Sequence, residues 1–284
     1  MKNKPVIVGI GELLWDMLPS GKKAGGAPVN FVYHASLLGA ESYAISAIGK
    51  DALGDEILQE LDKIKLSYFI ERVDYPTGTV LVQLKEGIPN YTIIENVAWD
   101  YIPATDEVKQ LARRTDAICF GTLAQRSAVS RSTIHEILSL VPQSAYRILD
   151  INIRQHFYSK QIIEESLRLC NVFKMNDDEL ELLREMFPLD GYDEDAACRW
   201  FLNQFNLNVV ILTAGADYSK VITKDDYSCI QTTKVKVVDT VGAGDSFTGA
   251  FISSLIEGKS LQESHQFAVD KAAYVCTKAG AWTV

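Results

Sequence analysis

A short apolar run followed by an amphipathic helical stretch recurs along most of this 284-residue chain. Val6 to Ile10 reads as a buried strand. Pro28 to Leu38 reads as a helix, with Pro28 in its first turn and Gly39 just past its end. Tyr43 to Ile48 is strand-like, and Gly54 to Ile64 is helical with Ile57, Leu58, Leu61 and Ile64 on one face. The rhythm resumes with helix Asp106 to Arg114, strand Ala117 to Phe120, helix Arg131 to Leu140, strand Arg147 to Ile151, helix Gln161 to Cys170 and strand Val172 to Met175. Helices Asp178 to Met186 and Glu194 to Phe205 precede strand Asn208 to Thr213, and a last helix, Leu261 to Thr277, opens with Ser260 and Glu263 in capping-box spacing. Strands separated by helices pair in parallel, and their crossovers cover both faces of the sheet. The expectation is an α/β fold, a three-layer α/β/α sandwich around a mostly parallel sheet. No Gly/Ser or Pro linker interrupts it, so residues 1–284 read as a single domain.

Residues 67–100 break the rhythm. Thr79 to Leu84 and Tyr91 to Glu95 look like strands, and Lys85 to Asn90 has hairpin-loop chemistry. Val80, Val82 and Leu84 oppose Leu81, so both faces of the first strand are apolar and need two covers. The body of the protein, a bound ligand or a second subunit could supply them. Asp217 to Thr232 holds a second, smaller hairpin pattern.

Composition narrows the partners. The formal net charge is −9 with no basic run, which disfavours nucleic acid and anionic membranes. A phosphorylated ligand must then be held by local groups. No apolar stretch approaches a membrane span, and Val6 to Gly11 is too short for a signal segment. The five cysteines lack CxxC spacing and read as buried, reduced thiols of a cytoplasmic protein, and the four histidines lack metal-ligand spacing.

Two glycine turns carry the chemistry. In the first, an apolar strand (Val235 to Val238) leads into Asp239-Thr-Val-Gly-Ala-Gly-Asp245 and a helix from Phe247 to Glu257. Backbone N–H groups of Gly242, Ala243 and Gly244 would face one way at the positive end of a helix dipole, as a socket for an oxyanion. Asp245 stands at its mouth, either as a proton acceptor or as a helix N-terminal acid that stabilises the dipole. The second turn is Gly25-Gly-Ala-Pro-Val-Asn30, where Gly25 and Gly26 let a backbone approach a small ligand and Asn30 offers a donor and an acceptor. A tight turn with a capping Asn is the plainer alternative. Asp16 follows the first strand and could accept two sugar hydroxyls or stand in a surface loop. Neither a Walker A motif nor a GxGxxG fingerprint is present.

Segment 239–250 resembles the C-terminal signature of the ribokinase-like (PfkB) sugar kinases. Gly25–Asn30, followed by Leu38-Gly39 and Ile48 to Gly54, resembles their N-terminal signature, in the GGAPxN form of the fructokinase branch. Asp150-Ile-Asn-Ile-Arg154 with Tyr158 is similar to the DxNxRxxxW stretch of fructokinases and 2-keto-3-deoxygluconate kinases, with Tyr158 in place of Trp. Asn176 to Glu179 matches the family's NxxE motif, and Thr213-Ala-Gly215 its nucleotide strand end, although Tyr218 replaces the usual second glycine.

The resemblance implies a ribokinase-like fold with a small β-sheet lid from about 12–24 and 67–100, and ATP and Mg²⁺ as cofactors. Asp245 would be the general base and Gly242–Gly244 the anion hole. Asp16, Gly25, Gly26 and Asn30 would hold a sugar, with Arg154 on the sugar or a phosphate. Asn176, Glu179, Thr213 and Gly215 would serve the nucleotide, Glu179 reaching Mg²⁺ through water. Asp239 and Val241 would hold a monovalent cation such as K⁺, or Asp239 would merely fix its turn. The implied reaction is transfer of the γ-phosphate of ATP to a primary hydroxyl of D-fructose, giving fructose 6-phosphate, in a homodimer formed through the lid. The alternatives are a 2-keto-3-deoxygluconate kinase, a ribokinase or a non-catalytic sugar or nucleotide sensor. A keto acid would need a cationic group that the Gly25–Asn30 turn does not offer.

Overall fold

The structure, a computed structural model, describes residues 4–19, 21–85 and 88–282, with side chains at 82–90 left out. The first strand, β1 (Val6–Ile10), is buried throughout. Two short strands follow, β2 (Leu14–Leu18) and β3 (Gly21–Gly25), then helix α1 (Ala27–Leu37), β4 (Glu41–Gly49) and α2 (Ala52–Lys63). Next come β5 (Ser67–Val73), β6 (Gly78–Lys85) and β7 (Ile88–Ile93). The second half runs α3 (Asp106–Ala112), β8 (Ala117–Phe120), α4 (Ala128–Leu140), β9 (Tyr146–Asp150), α5 (Lys160–Leu169), β10 (Val172–Asn176), α6 (Asp177–Arg184) and α7 (Glu194–Gln204). It ends with β11 (Val209–Ala214), β12 (Tyr218–Ile222), β13 (Tyr227–Gln231), α8 (Ala243–Ile256) and α9 (Leu261–Cys276).

Nine strands form one sheet in the order β13-β12-β11-β10-β9-β8-β1-β4-β5. Pairing is parallel from β11 to β5, and β12 and β13 add antiparallel at one edge. Strand alternation splits the core in two. Val6, Val8 and Ile10 pack with apolar positions of α3 to α7, whereas Ile7 packs with α1, α2, α8 and α9. The strands, buried on both faces, are therefore nearly continuous apolar runs, and the expected three-layer α/β/α sandwich is what forms. The chain goes from β1 to β4 and β5 on one side, and later from β8 to β13 on the other. The order thus reverses beside β1, and such a switch point opens a crevice at the carboxyl ends of the strands. Among the described residues no helix is long and apolar enough to cross a membrane.

A second sheet has the order β3-β2-β6-β7. It joins two segments, because β2 pairs in parallel with β6 while the outer pairs are antiparallel. Trp15 Nε1 donates to the Leu53 carbonyl at 2.9 Å and ties β2 to α2. At its base, Asp51 caps α2 by accepting from Gly54 N at 2.8 Å and also accepts from Thr77 N and Thr77 Oγ1 at 2.8 and 2.6 Å. The Ile48–Gly54 motif thus fixes the point where β6 begins.

Three expectations change. Residues 67–73 are not part of the small sheet: β5 lies beside β4 at the edge of the large one, with Glu71 and Arg72 facing water. Residues 235–238 form no strand. Val237 and Val238 are exposed, and Val238 N donates to the Cys276 carbonyl at 2.8 Å instead of to a strand. The cysteines are all free, but Cys229 is exposed and Cys276 half-buried. The expected turn at residues 86 and 87 and the facing of Val82 and Leu84 lie outside what is described.

Candidate active site

Five of the sequence motifs converge on the carboxyl edge of the large sheet. Asp150 ends β9, Asn176 ends β10, and Asn176 stands beside Thr213 of β11 in register. The glycine turn at Gly25 and Gly26 starts α1 over the end of β1. A Cβ on Gly26, whose φ is 138°, would lie 2.1 Å from the Glu12 carbonyl oxygen, so only glycine fits. Gly242 caps α8 in the left-handed region with φ 79°, and a Cβ there would sit 2.7 Å from Ala281 Cβ.

Asp245 falls in the first turn of α8. Its Oδ2 accepts from Asn30 Nδ2 at 2.8 Å, while Asn30 Oδ1 accepts from Trp282 Nε1 at 2.8 Å. Asn30 is buried and both ends of its amide are used, so it orients Asp245. Burial raises the Asp245 pKa to about 6, helped by the charge of Asp150 and opposed by the Asn30 hydrogen bond, Lys174 and Arg154. A carboxyl so placed is ionised at neutral pH, yet is a stronger base than an exposed Asp.

The socket beside it has a cation that the sequence reading missed. Lys174 is buried in β10, its Nζ 2.7 Å from Asp150 Oδ2, and a Cβ on Gly244 would lie 3.3 Å from that Nζ. The signal was a lone charge inside the apolar run Val172-Phe-Lys-Met175, since a Lys is rarely buried unpaired. Of the N–H groups expected to line the socket, that of Ala243 donates to the Thr240 carbonyl at 3.2 Å. The N–H groups of Gly244 and Asp245 belong to the first helical turn, whose donors have no intrahelical carbonyl.

Asp16, Gly25, Gly26 and Asn30 line one cavity of about 750 Å³, roofed by Trp15 and Tyr91 of the small sheet. Asp16 Oδ2 lies 3.6 Å from a Cβ placed on Gly25, so its side chain faces the turn, and burial raises its pKa against the pull of Arg154 and Lys23. Arg154 itself is exposed at the cleft mouth, close enough to act on Glu12, Asp16 and Asp245. It is flanked by Asn152 and Gln155, both at positive φ (42° and 50°), a strained backbone of the kind that collects at functional sites. Gln155 Nε2 donates to the Tyr91 carbonyl and so joins this loop to the roof.

Glu12 was also missed. It is buried, its Oε1 accepts from Ala27 N at 3.2 Å, and its Oε2 has no partner among the described residues. Burial chiefly, with Asp245 adding, pushes its pKa to about 7. The cavity contains Lys22 and Lys23 as well, so the absence of a cation holds for the Gly25–Asn30 turn and not for the cavity. Lys22 pairs with Glu56 and Lys23 with Asp239.

The NxxE motif forms a capping box. Asn176 Oδ1 accepts from Glu179 N at 2.7 Å, and Glu179 accepts from Asn176 N and Ile153 N, both at 2.8 Å. Each Glu179 oxygen keeps a lone pair for a water, and the Asn176 amide N–H groups stay available. The donor set therefore fits a water-bridged Mg²⁺ carried in with phosphates. Among the described residues no cluster of three His, Cys, Asp or Glu stands ready to hold a metal alone. Gly215 follows β11 at φ 47°, and Tyr218 directs its hydroxyl to Glu194 at 2.8 Å. Asp239 fixes its turn, accepting from Val241 N at 3.1 Å and from Gly280 N at 2.9 Å.

Transfer of a phosphoryl group to an alcohol needs an anion socket, a nearby base and a roof against water, and this cleft has that form. The class is a small-molecule kinase. The chain belongs to the pfkB family of carbohydrate kinases, whose model matches residues 20–283. It is 27% identical to an ATP-dependent 6-phosphofructokinase of Thermoanaerobacterium thermosaccharolyticum, over 97% of this chain and 89% of that one. It is also 27% identical to a fructokinase of Rhizobium leguminosarum bv. trifolii, over 94% and 85%. The fold superimposes on a Vibrio cholerae fructokinase crystallised with fructose, ADP and potassium ion, with a TM-score of 0.82, 20% identity and coverage of 100% and 96%.

Proposed function

We propose that this carbohydrate kinase phosphorylates a primary hydroxyl of a ketose, D-fructose giving fructose 6-phosphate. The observation that carries the reading is Asp245 in the first turn of α8, held by Asn30, whose side chain lines the roofed cavity. ATP would supply the phosphoryl group, and Mg²⁺ carried in with it would lend positive charge to the phosphates. Asp16, Gly25 and Gly26 hold the sugar, with its acceptor hydroxyl towards Asp245. Asp245 takes that hydroxyl's proton, help worth roughly 10²- to 10⁴-fold. The first-turn N–H groups of α8 and buried Lys174 stabilise charge on the group in flight. Asn176 and Glu179 hold the nucleotide end through phosphate and metal-bound water, with Thr213 and Gly215 alongside. Positive charge next to Asp239 and Val241, from K⁺ or from the protein, completes the socket. The small sheet acts as a lid over the sugar, and two lids pair in a cytoplasmic homodimer.

The test is ADP release with Mg-ATP across fructose, fructose 6-phosphate, ribose, tagatose, 2-keto-3-deoxygluconate and nucleosides. Fructose should be preferred, and Asp245→Asn should lose nearly all turnover while keeping ATP binding. Fructose 6-phosphate as the better substrate would move the acceptor to a phosphorylated ketose, a reading that Lys22 and Lys23 at the cavity favour. Substantial activity in Asp245→Asn would sink the assignment of the base.

A further inference from the structure

Asp239 puts a negative charge beside a socket for an anion, and that charge has to be cancelled before a phosphate can sit there. The carboxylate stands where two segments meet. It accepts from Val241 N in the loop before α8 and from Gly280 N in the segment after α9, and Asp239 N and Val238 N both donate to the Cys276 carbonyl. Moving it away would open the loop, so the charge is built in. Its counter-charge comes from a third segment. Lys23 lies on β3 of the small sheet and reaches across the cavity, its Nζ 3.3 Å from Asp239 Oδ2 and close to Gly280. The pair joins the roof to the anion loop. Lys23 is 48% and Asp239 22% exposed. Half-exposed pairs of this kind are weak, enough so to break and re-form as a roof moves.

We propose that the Lys23 ammonium is this chain's own monovalent cation: the small sheet delivers it to Asp239 on closing, so that anion binding at the loop and closure of the roof are one event. A dissolved K⁺ is then dispensable. This rests on the kinase reading in taking the bound anion to be the nucleotide phosphates. It differs from the expectation of K⁺ at Asp239 and Val241, because the position beside Asp239 is reached by a cation of the protein. The geometry also accounts for β3, a strand with a Lys-Lys pair whose two ammonium groups go to different partners, Glu56 on α2 and Asp239 on the loop.

Calorimetric titration with Mg-ADP tests it, comparing KCl with tetramethylammonium chloride at equal ionic strength. The wild-type dissociation constant should be the same in both salts. Lys23→Met should bind about fivefold more weakly in tetramethylammonium, the equivalent of a pair near 1 kcal/mol, and recover in KCl. Lys23→Arg should behave as wild type. Asp239→Asn, lacking the charge to be cancelled, should lose the cation response in the Lys23→Met background. If the wild type needs K⁺ and Lys23→Met responds to it identically, or if Lys23→Met equals wild type in both salts, the proposal is overturned while the kinase reading stands. If Mg-ADP binds to none of the proteins in either salt, the kinase reading falls and the proposal with it.

Discussion

Asp245 is held between opposing influences that nearly balance. Burial and the Asp150 charge favour its protonated form, whereas Asn30, Lys174 and Arg154 favour the ionised form, and its pKa settles at about 6. A base works only when ionised, so activity should be lost as pH falls through about 6. The expected kcat/KM is level above neutrality and declines about tenfold per pH unit on the acid side. Asn30→Ala removes the hydrogen bond that favours the charged form, so its acid limb should move to higher pH in the same profile. A limb that stays put would show that Asn30 does not tune the base. Asp245, Asn30, Gly25, Gly26 and Gly242 were legible because glycine turns opening helices leave a local mark. Glu12, Lys174 and Trp282 were not, since each owes its place to a partner far along the chain: Trp282 reaches Asn30, and Lys174 reaches Asp150. Spacing in a sequence reports neighbours within a turn or two, not such pairs.

At the level of elements, the crossover from β4 through α2 anchors the start of the roof. Asp51 serves two masters there, capping α2 and pinning Thr77 at the start of β6. Asp51→Ala should cost about 1–2 kcal/mol from the lost cap, measured by urea unfolding. It should also raise KM for the sugar more than it lowers kcat, because the roof loses its anchor while Asp245 keeps its surroundings. The buried parallel strands were legible as apolar runs of the right length. β5 was not, because an edge strand half in water carries Glu71 and Arg72 and shows no clean alternation. The stretch 235–238 misled in the opposite way. Its valines alternate with lysines as a strand's would, but its backbone turns to the Cys276 carbonyl and joins no sheet, and pairing rather than pattern decides.

For the whole molecule, the roof's outer side is the surface through which two copies would meet. Leu81 of β6 is 38% exposed and points to the face opposite Val80, which is buried against the core, so an apolar side chain looks outwards. A homodimer that pairs two roofs should elute with about twice the 31.5 kDa chain mass in size-exclusion chromatography with light scattering, and Leu81→Lys should return it to a monomer. Fold class was legible from rhythm alone, whereas the division of residues 67–93 between two sheets was not, because it depends on which distant strand each segment meets. That division has a consequence in time. Leu14 of β2 pairs with Gly78 of β6, and the β4-α2-β5 unit lies between them in the chain. Parallel pairing of distant segments pays its loop-closure entropy before any contact repays it. The strands β2 and β3 of the small sheet are also only partly buried, unlike β1 and β8, so the small sheet has less buried surface holding it shut. In native-state hydrogen exchange its amides should trade with solvent well ahead of those in β1 and β8, so the ceiling opens while the walls stay shut.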